Sequence, residues 1–333
     1  MDPVTQAAVG AAAAQLGAPR RQYAKAAVIG ALAGMAPDLD VLIRSSEDPL
    51  LALEFHRHFT HSLLFIPLLG GLCGLLLYAL LGRRWQLPLR QVLLWSVLGY
   101  ATHGLLDGCT SYGTQLLWPL SNHRFAWDIV SVIDPLFTVP LSIALVLAAS
   151  RQSRPWLLAG VAWGALYLGV GVVQHERAVA IGEAIAAQRG HQPLKLEAKP
   201  SFGNLVVWKT VYATPERFYV DAVRPGLGTP RVWEGESIAR LDQARDFPWL
   251  GDGDQQARDI ARFDHFSAGY LGIDPINPLR VVDIRYSMLP HHVAPLWGIE
   301  LSPQRGPEEH VSWYAQRTRG SEALRELLGM IFE

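Results

Sequence analysis

Residues 56–62 read HRHFTHS, three histidines within six positions at the threshold of an apolar run of about twenty residues without a charge. Such histidines serve either as interfacial anchors or as ligands for a metal ion held at a membrane surface. Three further groups bear on the choice. Asp38 and Asp40 stand at i and i+2 in PDLD, after Pro37 has ended an apolar helical piece. His103 and Asp107 stand at i and i+4 in HGLLD, a spacing that puts both side chains on one helix face. His123, Asp128 and Asp134 form a looser set. His56 and His61 point about 140° apart on a regular helix, so both reach one site only where the chain turns between them.

A mixed His/Asp ligand set suits zinc, manganese or iron in a hydrolytic role, with a metal-activated water as nucleophile. The expected ligands are Asp38, Asp40, His56, His61, His103 and Asp107, around one or two ions. His58 and His123 read more readily as anchors, Asp128 as an interfacial polar group, and Asp134 before Pro135 as a helix cap, a role open to Asp40 too. Taken together, the carboxylates resist that reading. Residues 1–175 hold nine acidic side chains, and Asp38, Asp40, Asp107 and Asp134 all border apolar helices. Ionisable groups beside a span are costly unless paired or liganded. Other chemistries lack support. No CxxC pair offers thiolates to zinc, no G-x-S-x-G elbow surrounds Ser62 or Ser111, and no Walker A loop is present. Cys73 and Cys109 lie in apolar surroundings that activate neither thiol.

The elements that must position these residues are apolar. Half of the 333 residues are hydrophobic, only 18% are charged, and the net charge is −1, which leaves nucleic-acid binding without electrostatic support. Of the charged side chains, 20 fall in residues 1–175 and 39 after them, which divides the chain into a membrane-embedded region, 1–175, and a soluble domain, 176–333. Spans are expected at Ser62–Gly82, Val92–Leu106, Ile129–Ala149 and Trp156–Val173. Two shorter small-residue pieces before them, on either side of Pro19-Arg20-Arg21, resemble the legs of a re-entrant or tightly packed hairpin. Arginines at 83, 84, 90, 151 and 154 place those loops in the cytoplasm by the positive-inside tendency, and hence the 176–333 domain and the clustered ligands on the periplasmic side.

In the second half, Leu205–Tyr212 and Arg217–Val223 read as a hairpin, and Leu279–Met288 and Leu296–Leu301 as further strands. Asp254–Phe263 and Ser321–Phe332 read as helices, and residues 176–190 continue the last span. The fold class expected is therefore a predominantly α-helical polytopic membrane domain followed by a small α+β, β-rich domain. Adjacent His291 and His292 have no acidic partner near them in sequence and read as structural.

The order PDLD, HRHFTHS, HGLLDGCTSYGTQLLWP and then IDPLF, spread over about residues 1–140, resembles the YdjM-like family. Its members are described as LexA-binding, inner-membrane-associated, metal-dependent hydrolases. The resemblance implies that Asp38, Asp40, His56, Arg57, Thr60, His61, Ser62, His103 and Asp107 occupy recurrent polar positions, with Ser111, Tyr112 and Gly113 after them. Members often carry Thr-His near the N-terminus, where this chain has Thr5-Gln6, so that one ligand is lost or Gln6 supplies a carbonyl oxygen. The ligand order is also similar, more distantly, to that of the zinc-dependent phospholipase C and S1/P1 nuclease group, which implies phosphoester chemistry and a phosphate clamp, for which Arg57 is placed. The expected function is a bacterial inner-membrane hydrolase of a phosphoester or lipid-linked substrate, with Asp107, His61 and Arg57 in catalysis. Its partner is membrane lipid or a lipid-linked substrate, with a protein partner open. A non-enzymatic membrane protein, either a partner-binding regulator or a transporter, is the alternative.

Overall fold

The computed structural model describes residues 1–226, 228–316 and 320–332. Two units divide the chain. One comprises residues 1–42, 55–172 and 202–204, and the other residues 43–54, 173–201 and the remainder from 205.

The first unit is helical. α1 (Pro3–Leu16) and α2 (Tyr23–Met35) are joined by a short turn around Arg20–Gln22 and pack as a close hairpin. Small residues make this approach feasible, because no other side chains fit between the backbones. A Cβ placed on Gly30 would stand 2.3 Å from the Gly10 carbonyl, and one on Gly10 would stand 2.4 Å from that of Gly30. The same strip receives α5 (Leu89–Gly108), where a Cβ on Gly99 would meet the Gly30 carbonyl at 2.5 Å. Asp2 caps α1, its carboxylate accepting from the amides of Val4 and Thr5.

After α2 a 3-10 stretch, Ala36–Leu42, carries PDLD. The short α3 (Leu51–Phe55) precedes HRHFTHS. α4 (Ile66–Leu77), with its irregular ends, forms an apolar rod over Leu63–Gly82. α6 (Pro135–Ser150) and α7 (Arg154–Gln188) follow. Among the described residues, two helices are long and apolar enough to cross a membrane, Leu63–Gly82 and Arg154–Gln188. Leu68, Leu72, Leu76 and Leu80 of the first are exposed, an apolar face that hydrocarbon would cover.

The other two expected spans take different forms. Val92–Leu106 lies inside α5, which also carries Arg90, Gln91, His103 and Asp107 and buries Trp95 and Ser96. Ile129–Ala149 is not one helix. The apolar helix begins only at Pro135, because Asp134 caps it by accepting from Phe137 N at 3.3 Å, and residues 129–134 are irregular. Tyr167 donates to both Asp134 oxygens at 2.9 and 2.8 Å, which explains a carboxylate at this apolar place.

The second unit holds two antiparallel sheets. β1 (Lys195–Pro200), β2 (Trp208–Ala213), β3 (Arg217–Arg224) and β4 (Arg231–Trp233) run in order, and β5 (Ser237–Ala239) also pairs with β3. The expected hairpin is β2–β3, in the register Trp208↔Val223 and Tyr212↔Tyr219. It starts at Trp208, as residues 205–207 are bent. β6 (Leu271–Ile273), β7 (Arg280–Asp283), β8 (Trp297–Glu300) and β9 (Ser312–Ala315) form the second sheet. The strand expected over Leu279–Met288 ends at Asp283, whose carboxylate accepts from the Arg285 amide at 3.1 Å and turns the chain away. α8 (Gln243–Asp246), α9 (Gln255–Phe266) and α10 (Gly320–Phe332) complete the unit. Its core joins Val211, Phe218 and Val220 to Tyr270, Val282 and Ile284. The segment before α3 belongs to this unit, where Arg262 on α9 pairs with Asp48 at 2.8 Å and Glu54 at 2.7 Å.

The glycine strip yields a direct prediction. Gly30→Val forces apart two backbones already in contact, an overpacking cost of about 1–3 kcal/mol or more. Gly71→Ala meets nothing within 4 Å. In detergent, thermal unfolding of the first variant should begin well below that of the parent, and the second should be indistinguishable from it. Equal midpoints for all three would contradict the packing described.

Candidate metal centre

HRHFTHS does not continue α3. Arg57 adopts φ +65°, a left-handed conformation uncommon for a residue with a side chain, and the chain then forms a 3-10 turn over Phe59–His61. That is the turn needed for His56 and His61 to reach neighbouring positions, and their ring centroids lie 5.8 Å apart. The bent segment is fixed from two sides. Tyr100 on α5 donates to the Thr60 carbonyl at 2.8 Å, and Gly104 lets His61 approach the helix, since a Cβ there would lie 2.3 Å from the His61 carbonyl. From the loop after α5, the Gln115 amide donates to the Arg57 carbonyl at 3.0 Å, and Ser62 Oγ donates to the Trp118 carbonyl at 2.6 Å.

Four ligand atoms converge, one each from Asp38, His61, His103 and Asp107. His61 Nε2 is 2.9 Å from His103 Nε2, 3.5 Å from Asp38 Oδ1 and 3.4 Å from Asp107 Oδ2. His103 Nε2 is 3.2 Å from Asp38 Oδ1 and 3.8 Å from Asp107 Oδ2. These separations bracket the edge of about 3.3–3.4 Å of a tetrahedron whose centre lies about 2.0–2.1 Å from each ligand, the bond length of zinc to imidazole. His61, His103 and Asp107 are fully enclosed, and the Asp38 side chain is 23% exposed, so Asp38 marks the mouth.

Hydrogen bonding fixes the imidazole tautomers. His103 Nδ1 lies 2.5 Å from the Gly34 carbonyl, which can only accept, so that nitrogen carries hydrogen. His61 Nδ1 faces Asp40 Oδ2 at 3.3 Å and Thr60 Oγ1 at 2.9 Å, and the Thr60 hydroxyl is itself committed to Asp40 at 2.7 Å. Both rings therefore turn their Nε2 atoms toward each other and toward two carboxylates, an arrangement that requires a proton or a metal cation between them. Asp107 Oδ2 accepts no aligned hydrogen bond, although Arg57 Nε is 2.9 Å away; the contact is ionic, with the N–H aimed elsewhere. The donor set and this orphaned oxygen fit a divalent ion. Burial opposes a charge on His61, but Asp107, Asp38 and Asp40 outweigh it and push its imidazole up to about 10. Burial likewise opposes ionisation of Asp38 and Asp40, and hydrogen bonds from His103 and His61, and from His56 and His61, hold both carboxyls well below the usual carboxylate range.

The remaining expected residues fall around this group. Asp40 accepts from His56 Nδ1 at 2.8 Å and from the Arg57 amide at 3.1 Å, so it orients His61 from behind. With Asp38 and His56 it also forms a second convergent set that shares Asp38 with the first. Arg57 is buried, its Nη1 donating to Thr110 Oγ1 at 2.9 Å and its guanidinium over the Tyr112 ring, so its first task is to hold Asp107. Gln6 meets Asp107 Oδ1 through its amide nitrogen at 2.8 Å, while its carbonyl oxygen is buried without a partner. The amino group of Met1 also donates to Asp107. His58 packs on Trp118 with centroids 4.6 Å apart, and His123 is exposed beside Phe125. Neither these two nor Asp128 nor Asp134 joins a convergent group among the described residues. Gly34, Tyr100, Gly104 and Thr110 escaped the sequence reading. Of these, Gly104 alone has a local signal, its place inside HGLLD next to His103.

The family described as "YdjM inner membrane protein" matches residues 1–178, a stretch that contains every residue of the centre. "Inner membrane protein YbcI" of Escherichia coli (strain K12) is 34% identical over 146 residues, which cover 40% of this chain and 80% of that protein. No solved structure matches the chain.

Two outcomes are expected. His61→Gln, His103→Gln and Asp107→Asn should each strip the purified protein of bound metal by elemental analysis, whereas His58→Gln should not; equal metal in all four would remove the centre. Below a pKa of about 10 His61 carries a proton in the metal-free protein, and a ligand imidazole must be neutral. Zinc uptake at pH 8 should therefore release a proton and tighten as pH rises toward that value. Calorimetry in buffers of different ionisation enthalpy measures the release, and uptake independent of pH between 7 and 9 would contradict it.

Proposed function

Because the chain belongs to the YdjM inner membrane protein family, we propose that it is a membrane-bound, metal-dependent hydrolase of a phosphoester or lipid-linked substrate. The observation that carries the reading is the pair of buried imidazole Nε2 atoms, 2.9 Å apart, converging with two carboxylates. A bound divalent ion supplies Lewis acidity and activates a water as nucleophile. Zinc suits this ligand set best, with manganese or iron next, and the sharing of Asp38 between two convergent sets favours a second ion.

The chain's own residues have distinct tasks. Arg57 and Gln6 hold Asp107 in one orientation, and Asp40 fixes the tautomer and direction of His61. Arg57 also brings a fixed positive charge close to where an anionic group would be held. Substrate enters beside Asp38, the exposed ligand. The neighbouring Leu39, Val41 and Leu42 are 64%, 49% and 69% exposed, an apolar lip suited to an acyl chain. In the membrane, the basic loops at 83–90 and 151–154 face the cytoplasm and the second unit lies in the periplasm.

Asp107→Asn should abolish hydrolysis of phospholipids or lipid phosphates while leaving the fold intact, since asparagine keeps the size and loses the charge. Unchanged turnover would refute the role of Asp107; metal held by the parent with no turnover on any such lipid would favour a non-enzymatic membrane function. Leu39→Asn with Leu42→Asn should raise KM for long-chain substrates and leave short, water-soluble esters unaffected; equal effects on both would remove the lipid lip. For topology, Ile276→Cys offers a thiol at a 90% exposed site of the second unit. An impermeant maleimide should label it in intact spheroplasts, and labelling only after lysis would reverse the orientation.

A further inference from the structure

The loop between β7 and β8 carries His291 and His292, and the fold supplies the acidic partner missing from the local sequence. Glu326 on α10 brings Oε1 to 3.5 Å from His291 Nε2. One ligand atom from each of His291, His292 and Glu326 lies within 4.8 Å of the others. The two rings have centroids 4.3 Å apart and planes inclined by 67°, so these adjacent histidines do not diverge.

The backbone that presents them is pinned. Lys209, buried on β2, donates to Ser287 Oγ at 2.7 Å and to the His292 carbonyl at 2.9 Å. Glu236 accepts from the Val293 amide at 2.8 Å, and its own amide donates to the His291 carbonyl at 3.1 Å. Gly235 allows this approach, since a Cβ there would stand 2.4 Å from the His291 carbonyl. Two imidazoles are thus held in place before any ligand arrives, which lowers the cost of binding one.

Pairing within the protein leaves the cluster incompletely satisfied. His291 Nδ1 is buried without a hydrogen-bond partner. His291–Glu326 at 3.5 Å and His292 Nδ1–Glu236 Oε1 at 3.3 Å are longer than the roughly 2.7–2.9 Å of a charge-assisted hydrogen bond. His292 and Glu326 line a cavity of about 440 Å³, and Glu322, one helical turn before Glu326, lines it too.

We propose that His291, His292 and Glu326 form a second metal site, a three-ligand position for a zinc-class divalent cation whose open side faces this cavity. Two imidazoles, one carboxylate and an open position form a donor set that zinc accepts, and the cavity leaves room for water or a small anionic ligand to complete it. Such an ion would also tie α10 to the sheet through Glu326. The site shares no residue with the Asp38/His61/His103/Asp107 centre and rests on none of its chemistry.

The test uses the full chain in detergent, stripped with a chelator and dialysed against Zn²⁺ alone, with bound zinc counted per chain. Glu326→Gln and His292→Gln are compared in the parent and in the Asp107→Asn background. Glu326 is half exposed, so its substitution spares the fold, which circular dichroism verifies. Each change should remove one zinc per chain in both backgrounds. Cobalt in place of zinc in the Asp107→Asn protein should give visible absorption that Glu326→Gln abolishes. Zinc stoichiometry and affinity indifferent to both changes in both backgrounds would overturn the proposal. The effect of Asp107→Asn itself reports separately on the first centre.

Discussion

Two imidazole Nε2 atoms 2.9 Å apart inside a protein need a proton or a metal ion between them. The structure builds that confrontation from far-separated parts of the chain. Gly34 at the end of α2 fixes one ring and Asp40 on the following turn fixes the other, and Asp38 and Asp107 close the group. Three carboxylates, Asp38, Asp40 and Asp107, crowd the site, with the Arg57 guanidinium as the fixed cation beside them and His61 held protonated when no metal is bound. Buried carboxylates left without a countercharge cost several kcal/mol each. A divalent cation would take the place of the His61 proton and meet both Nε2 atoms and the carboxylates at once.

The helical packing of the first unit serves this geometry. Glycines at 10, 30 and 99 draw α1, α2 and α5 together to backbone contact, which sets Gln6 and Gly34 against the His103–Asp107 face of α5. Next to His103 on α5, Gly104 admits the HRHFTHS turn. A helix pair at ordinary spacing, about 8–10 Å between axes, would leave Gln6 and Gly34 too far from Asp107 and His103 to hold them. Small residues here do more than permit packing; they set the ligand distances.

Much of this was legible before the structure. The i, i+4 spacing of His103 and Asp107 placed both on one face, and the awkward spacing of His56 and His61 required the turn that Arg57 makes. The β2–β3 hairpin and α9 were legible because β-branched alternation and helical periodicity are local properties. What stayed hidden depends on long-range contact. Nothing local distinguishes Asp40, which orients an imidazole, from Asp38, which reaches the group itself. The contribution of Gln6 depends on a partner 101 positions away. α6 begins at Pro135 because Asp134 caps it, a competition between cap and hydrophobic run that composition alone does not decide. The acidic neighbour of His291 comes from α10, 35 residues later.

An anomalous difference map from crystals of the full chain, recorded on either side of the absorption edge of the metal it retains, tests the central claim most directly. The account predicts a peak within about 2.0–2.2 Å of His61 Nε2, His103 Nε2 and one oxygen each of Asp38 and Asp107. A map without density there, with the two imidazole nitrogens still about 2.9 Å apart while the crystals contain metal elsewhere, would contradict it.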